Sequence, residues 1–158
     1  MATELCAKLQ TVAPDAWGED YVQIALRSGW KCVYCGENIA ADRDTAYQWS
    51  EKDHLLPKEE YPELKDAVLD QVLACKPCHR LKCDFDPNRE VNTYVRGSSV
   101  QFKPGERLTL TKIAKAEIDR RRSLKQSTWP QEQRLIQQAV REACDAGLIE
   151  NPASASLR

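Results

Sequence analysis

No stretch of this sequence approaches the ~18 consecutive apolar residues that a membrane-spanning helix needs, so a membrane protein is not expected. The opening MATELCAKLQTVAPDAW lacks the charged segment and apolar core of a secretory signal, which points to a cytoplasmic location. Thiols stay reduced there, and the seven cysteines are odd in number, so disulfides account for them poorly. Internal repeats and low-complexity blocks are absent. So is any excess of one charge: 23 Lys and Arg stand against 24 Asp and Glu, a net of −1, where a nucleic-acid binder would be basic. Histidine is scarce, with two copies, His54 and His79. One follows Asp53 directly, and the other follows a cysteine pair.

At 158 residues, 42% hydrophobic and 30% charged, the chain suits one ordinary domain, or a small one with helical additions. Its charge is unevenly placed. Residues 1–85 hold 10 Lys/Arg against 15 Asp/Glu, residues 86–126 hold 10 against 5, and the last 32 hold 3 against 4. The positive charge is thus gathered just after the cysteine-rich part and ends in DRRRSLK. A local basic stripe is what phosphate contact requires, and the same stripe reads equally well as a solvated helix face.

Periodicity and capping signals place the elements. TELCAKLQ reads as a short helix. DAWGEDYVQIALRSGW reads as a second, with Asp15 as N-cap, Trp17, Tyr21, Ile24 and Ala25 on one face, and Gly29 as the stop. Thr45, Tyr47 and Trp49 alternate at period two, which predicts a strand over TAYQWSEKDHLL running up to His54. Pro57 and Pro62 make 57–66 irregular. DQVLAC reads as a short apolar strand, and KPCHRLKCDF as a cysteine turn entering a helix that ends near DPN. RLTLTKIAKAEIDRRRSLK carries Leu110, Ile113, Ala114 and Ile118 at helical spacing. A separate final helix is expected from Ser127 or Thr128 as cap and Pro130 in the first turn to Gly147 as stop, with an apolar stripe of Leu135, Ile136, Ala139, Val140 and Ala143. The fold class is α+β. The organisation expected is a helical segment over 1–29, a core over 30–90, a basic then amphipathic helical extension over 91–149, and a disordered tail over 150–158.

Cys32-x2-Cys35 and Cys75-x2-Cys78 form two C-x2-C pairs. A two-residue gap lets both sulfurs of a turn converge on one ion, and two such turns complete the closed tetrahedral set of a structural zinc site. Thiolates favour such a metal over Mg²⁺ or Ca²⁺. A redox dithiol would need one pair in a βαβ setting, which is missing; a rubredoxin-like iron site lacks the matching glycine after the second pair. Cys6, Cys83 and Cys144 read as small core residues.

Asp53 and His54 lie inside the loop that zinc would close, and His79 abuts its last cysteine. A carboxylate and a neutral imidazole suit a catalytic divalent ion with open positions, and a second imidazole suits proton abstraction from water. Each residue also has a plainer reading: a surface Asp–His hydrogen bond, or a His that caps a helix or replaces a cysteine on zinc.

Taken together, WKCVYCGENI, EKDHLLPK and DQVLACKPCHRLKCDFDP resemble the HNH endonuclease family, in the form where two C-x2-C pairs flank a ββα-metal motif. The resemblance spans about residues 30–87. It implies a zinc-stapled ββα core that hydrolyses phosphodiester bonds, with DNA as partner and RNA left open. By that resemblance His54 is the general base, while Asp53 and His79 hold Mg²⁺ or Mn²⁺. Lys82 is placed to meet phosphate, with Arg80 beside it. The family asparagine that holds the base-bearing loop falls at Asp70, next to Gln71, and Asp70 can accept backbone N–H bonds but not donate as an amide does. A glycine-rich turn is replaced by KEEYPEL, whose Glu59, Glu60 and Glu63 add negative charge. Lys112, Lys115, Arg120, Arg121 and Arg122 are the candidates for backbone contact. Two other classes stay in view: a non-catalytic zinc module binding nucleic acid or a protein, and a scaffold dimerising through Leu135, Ile136 and Val140. The first would survive loss of His54, and the second would depend on the last helix.

Overall fold

The computed structural model describes residues 1–13, 17–97, 102–103 and 105–148. Five helices and one two-stranded antiparallel sheet occur among them, in the order α1 (Ala2–Val12), α2 (Glu19–Ser28), β1 (Ser50–His54), β2 (Gln71–Cys75), α3 (Lys76–Lys82), α4 (Asn88–Val91) and α5 (Glu106–Asp145). The protein is α+β, as the sequence implies. Met1–Asp119 forms one compact unit and the residues from Arg120 onward another. No helix among the described residues is long and apolar enough to cross a membrane.

The first unit is built around β2. Every residue of QVLAC is buried, which is why this strand reads as a continuous apolar run rather than an alternation. β1 pairs with it from Ser50 opposite Cys75 to His54 opposite Gln71, and α3 follows β2 directly. Ile24 and Ala25 of α2, Tyr34, Ile39, Leu55, Leu56, Leu64 and Leu73 fill the core. Leu110, Ala114 and Ile118 close it with one face of α5, each fully buried. Gly29 ends α2 in the left-handed region (φ 62°), its N–H meeting the carbonyls of Ala25 and Leu26, as its position in the sequence suggests. α2 has Gly18 as its N-cap, and Asp15 lies outside the described residues.

Two expectations change. Thr45–Trp49 is a π-helical turn, so the strand begins only at Ser50. Asp42 accepts the Thr45 N–H at 2.8 Å and its hydroxyl at 2.9 Å, while Ser50 Oγ bonds back to the Ala46 carbonyl at 2.6 Å. These local bonds outweigh the β-propensity of the alternating aromatics. Tyr47 packs on Trp17, centroids 5.1 Å apart, in a cluster with Tyr21 and Trp30.

The second change is at Ser127 and Thr128, where no new helix starts; α5 runs through to Asp145 with Pro130 inside it. Ser127 Oγ bonds to the Leu124 carbonyl at 2.7 Å and Thr128 Oγ1 to that of Lys125 at 3.1 Å. Folded back in this way, the hydroxyls sit within the helix instead of capping one. Gly147 (φ 68°) does end it, with Leu148 N–H on the Ala143 carbonyl at 2.9 Å. In the second unit Leu124, Trp129, Leu135 and Ile136 are all more than half exposed.

Candidate active site

The four pair cysteines converge. Their sulfurs all lie within 4.8 Å of one another, and Cys35 Sγ is 3.7 Å from Cys75 Sγ. A tetrahedral Zn²⁺ with ~2.3 Å bonds would set its sulfurs ~3.8 Å apart, so the spacing fits this ion. Local structure builds the site. The Gly36 N–H bonds to the Cys32 carbonyl at 2.8 Å, and Cys32 N–H to that of Glu37 at 2.9 Å, making the first turn; Gly36 takes φ 79°, open to glycine at little cost. The second turn is the β2–α3 junction, where Cys75 is the N-cap and Pro77 occupies the first turn of the helix. Thiols of Cys75 and Cys78 donate to Cys32, holding it deprotonated and pushing themselves up, Cys75 to about 12. A divalent cation would let all four ionise, so the cluster could hold zinc.

The junction that seats Cys75 and Cys78 also aims α3 at β1. His79 and Lys82, three apart on one helical face, meet Glu51 and Asp53, two apart on one strand face. Asp53 is buried (3% exposed). Its Oδ2 accepts the Tyr34 hydroxyl at 2.6 Å, while its Oδ1 stands 3.5 Å from both His79 Nε2 and Lys82 Nζ. Burial raises the Asp53 carboxyl above its ordinary range, against the pull of Lys82, Tyr34 and His79. The other ring nitrogen of His79, Nδ1, bonds to the Glu51 carboxylate.

His54 ends β1 and turns away from Asp53, as successive strand residues do. Its Nε2 lies 2.8 Å from the Lys65 carbonyl. A carbonyl only accepts, so Nε2 carries the proton and a neutral His54 keeps its lone pair on Nδ1. Behind the ring, Asp70 ties the loop down: its carbonyl takes the Leu55 N–H at 3.0 Å and its Oδ1 the Leu56 N–H at 3.1 Å. Asp70 Oδ2 is buried with no hydrogen-bond partner among the described residues. Burial raises its carboxyl to about 7. Gln71 contributes differently, its Nε2 reaching the Lys65 carbonyl at 3.3 Å.

Asp53, His54, His79, Arg80 and Lys82 line one open cleft of ≈ 530 Å³, together with Lys52, Lys58, Glu59, Cys83 and Asp84. Lys82 is 1% exposed, and its Nζ donates to the His54 carbonyl at 2.7 Å. Its ammonium thus braces the two strand-end residues from within. Of the three loop glutamates only Glu59 lines this cleft; Glu60 pairs with Arg89, and Glu63 accepts the Gly97 N–H at 2.8 Å. Lys112 and Lys115 are exposed on α5 and are not among the cleft residues, and Lys115 pairs with Asp119. Arg120, Arg121 and Arg122 belong to the second unit. Cys6 is buried as expected, Cys144 is half-buried, and Cys83 is exposed at the cleft instead of in the core. Cys83 follows the last residue of α3 with φ 52°, which turns it outward.

Sequence reasoning missed Glu51 and Tyr34. A signal existed for the first, since Glu51 and Asp53 alternate on a strand. Tyr34 sits between the first two cysteines and gives no such sign.

Comparison with known proteins finds a partial likeness. The chain is 36% identical over 76 residues to the Septu protein PtuB of Bacillus thuringiensis, a match covering 47% of this chain and 28% of that protein. No family model matches the chain, and no solved structure matches it.

Proposed function

We propose that the cleft is the active site of a metal-dependent endonuclease of the HNH kind, hydrolysing phosphodiester bonds in DNA. The observation that carries the reading is the pairing of Asp53 Oδ1 with His79 Nε2 at 3.5 Å, in the cleft that His54 also lines. Two neighbouring ligands of an octahedral ion with ~2.1 Å bonds stand ~3 Å apart, so this carboxylate and imidazole fit such an ion with little movement. Mg²⁺ or Mn²⁺ held there would stabilise the charge that develops on the phosphate and on the leaving oxygen.

The chain's own residues supply the rest. His54 removes a proton from the attacking water through Nδ1, its ring fixed by the Lys65 carbonyl. Lys82 and Asp70 hold the backbone on either side of that histidine. Lys52, Lys58 and Arg80 on the cleft meet the phosphates of the substrate, which positions it without reading sequence. Lys112, Lys115 and Arg120 to Arg122 are further candidates for phosphate contact, and affinity should fall steeply as salt rises. Zinc held by Cys32, Cys35, Cys75 and Cys78 would fix α3 against β1 and take no part in the chemistry. The four-cysteine cluster supports a metal-stapled core of this type.

The test is nicking of supercoiled plasmid by the zinc-loaded chain with Mg²⁺ or Mn²⁺, beside His54→Ala and a chelator control. Metal-dependent nicking that vanishes in a variant of unchanged zinc content supports the reading. DNA binding without cleavage by the wild type would favour the non-catalytic zinc module instead.

A further inference from the structure

Resting on that reading, we infer that Glu51 is a positioning residue that sets the tautomer of His79, keeping Nε2 available to the divalent ion. The imidazole of His79 lies between two carboxylates. Nδ1 bonds to Glu51, and Nε2 stands 3.5 Å from Asp53 Oδ1. A neutral ring has one proton to give, and the two acids compete for it. On Nε2 the proton would face Asp53, and the lone pair needed for metal would be covered. On Nδ1 it is held by Glu51, and the lone pair faces Asp53 across the space an ion would occupy.

Distance and placement favour Glu51. Its carboxylate is in hydrogen-bond contact, whereas Asp53 Oδ1 is too far for a strong bond, and Asp53 is already engaged by Tyr34 and Lys82. Glu51 and Asp53 alternate on β1 and pair with Ala74 and Val72, so their spacing is fixed by the strand and not by a flexible loop. The arrangement is the carboxylate–histidine–metal chain, in which the outer acid orients the ring and raises its basicity. With Asp53 on the far side of the ring, it becomes a line of acid, imidazole, ion and acid. Sequence placed His79 and Asp53 in this role and assigned nothing to Glu51.

The experiment uses the full, zinc-loaded chain labelled with ¹⁵N-histidine, in which two imidazoles are assigned with one His54→Ala sample. Two-bond ¹⁵N–¹H spectra at pH 8 report which nitrogen of His79 carries the proton, and calorimetry reports Mn²⁺ affinity. Wild type should show His79 protonated at Nδ1. Glu51→Ala should move the proton to Nε2 and weaken Mn²⁺ about 10-fold or more. Glu51→Gln, whose side-chain oxygen still accepts from Nδ1, should keep the Nδ1–H form and most of the affinity. An Nε2–H tautomer in wild type, or a tautomer unchanged in Glu51→Ala, overturns the assignment. Equal loss of Mn²⁺ in the Gln and Ala variants also overturns it, because Glu51 would then bind the ion itself. Absence of Mn²⁺ binding by wild type would instead sink the metal-nuclease reading, whatever the spectra show.

Discussion

Asp70→Asn should stabilise this protein, and the gain should grow with pH. The carboxyl of Asp70 is fully buried; Oδ1 accepts the Leu56 N–H and Oδ2 has no partner among the described residues. Burial is the main cause of its raised pKa, with the negative charge of Asp53 adding to it; the Leu56 N–H, Lys82 and Arg107 oppose. The folded pKa of about 7 lies above the ordinary 3.8, so the folded state binds the proton more tightly than the unfolded chain does. The contribution of Asp70 to stability is therefore fully present below about pH 4 and is lost as pH rises through 7. At 1.36 kcal/mol per unit the whole loss is about 4 kcal/mol, of which about 2 kcal/mol falls between pH 5.5 and 8.5. Asparagine keeps the Oδ1 acceptor and carries no charge, so it should escape that loss. Urea unfolding of zinc-loaded wild type and variant at pH 5.5 and 8.5 measures it, and contributions common to both proteins cancel in the difference. A stability difference that stays constant across this range would refute a buried, titrating Asp70.

Replacing Cys35 or Cys78 by serine should abolish zinc retention and melt the first unit, as should chelation, because structural zinc contributes roughly 10 kcal/mol of folding energy; metal analysis and circular dichroism read both. Tyr34→Phe removes the donor to buried Asp53 Oδ2 with little change of volume, at about 1–3 kcal/mol, measured by urea unfolding. Leu110→Ala should cost about 2–5 kcal/mol, since Leu110 is fully buried. Leu135→Ala, at a side chain 61% exposed, should stay within about 0.5 kcal/mol; similar losses for the two leucines would contradict the packing of α5.

What could be read ahead of the structure was whatever spacing alone determines. A C-x2-C pair must turn on itself, so the convergence of Cys32, Cys35, Cys75 and Cys78 was visible, and with it the approach of His79 to β1. QVLAC read as a strand because both its faces are covered. Local competition was harder to see. Thr45, Tyr47 and Trp49 carry a strand pattern, and two Asp42 bonds to Thr45 override it. Ser127 and Thr128 are good helix caps, yet their hydroxyls fold back on the preceding turn. Contacts that exist only across elements were invisible. Glu51 acquires a role because α3 brings His79 opposite it, and Lys82 is drawn inward by the His54 carbonyl and Asp53. Asp70 could be placed from sequence as a backbone acceptor, but its unpaired Oδ2 and high pKa follow from its burial.

The most direct test of the account is single-turnover cleavage of plasmid DNA by His54→Ala with and without added imidazole. Truncation removes a ring that lines an open cleft of ≈ 530 Å³, room enough for the free base to take its place. Loss of metal-dependent cleavage, partly restored by imidazole and not by an alkylammonium ion of similar size, is the result expected if His54 is the base. Undiminished cleavage by the variant would contradict it.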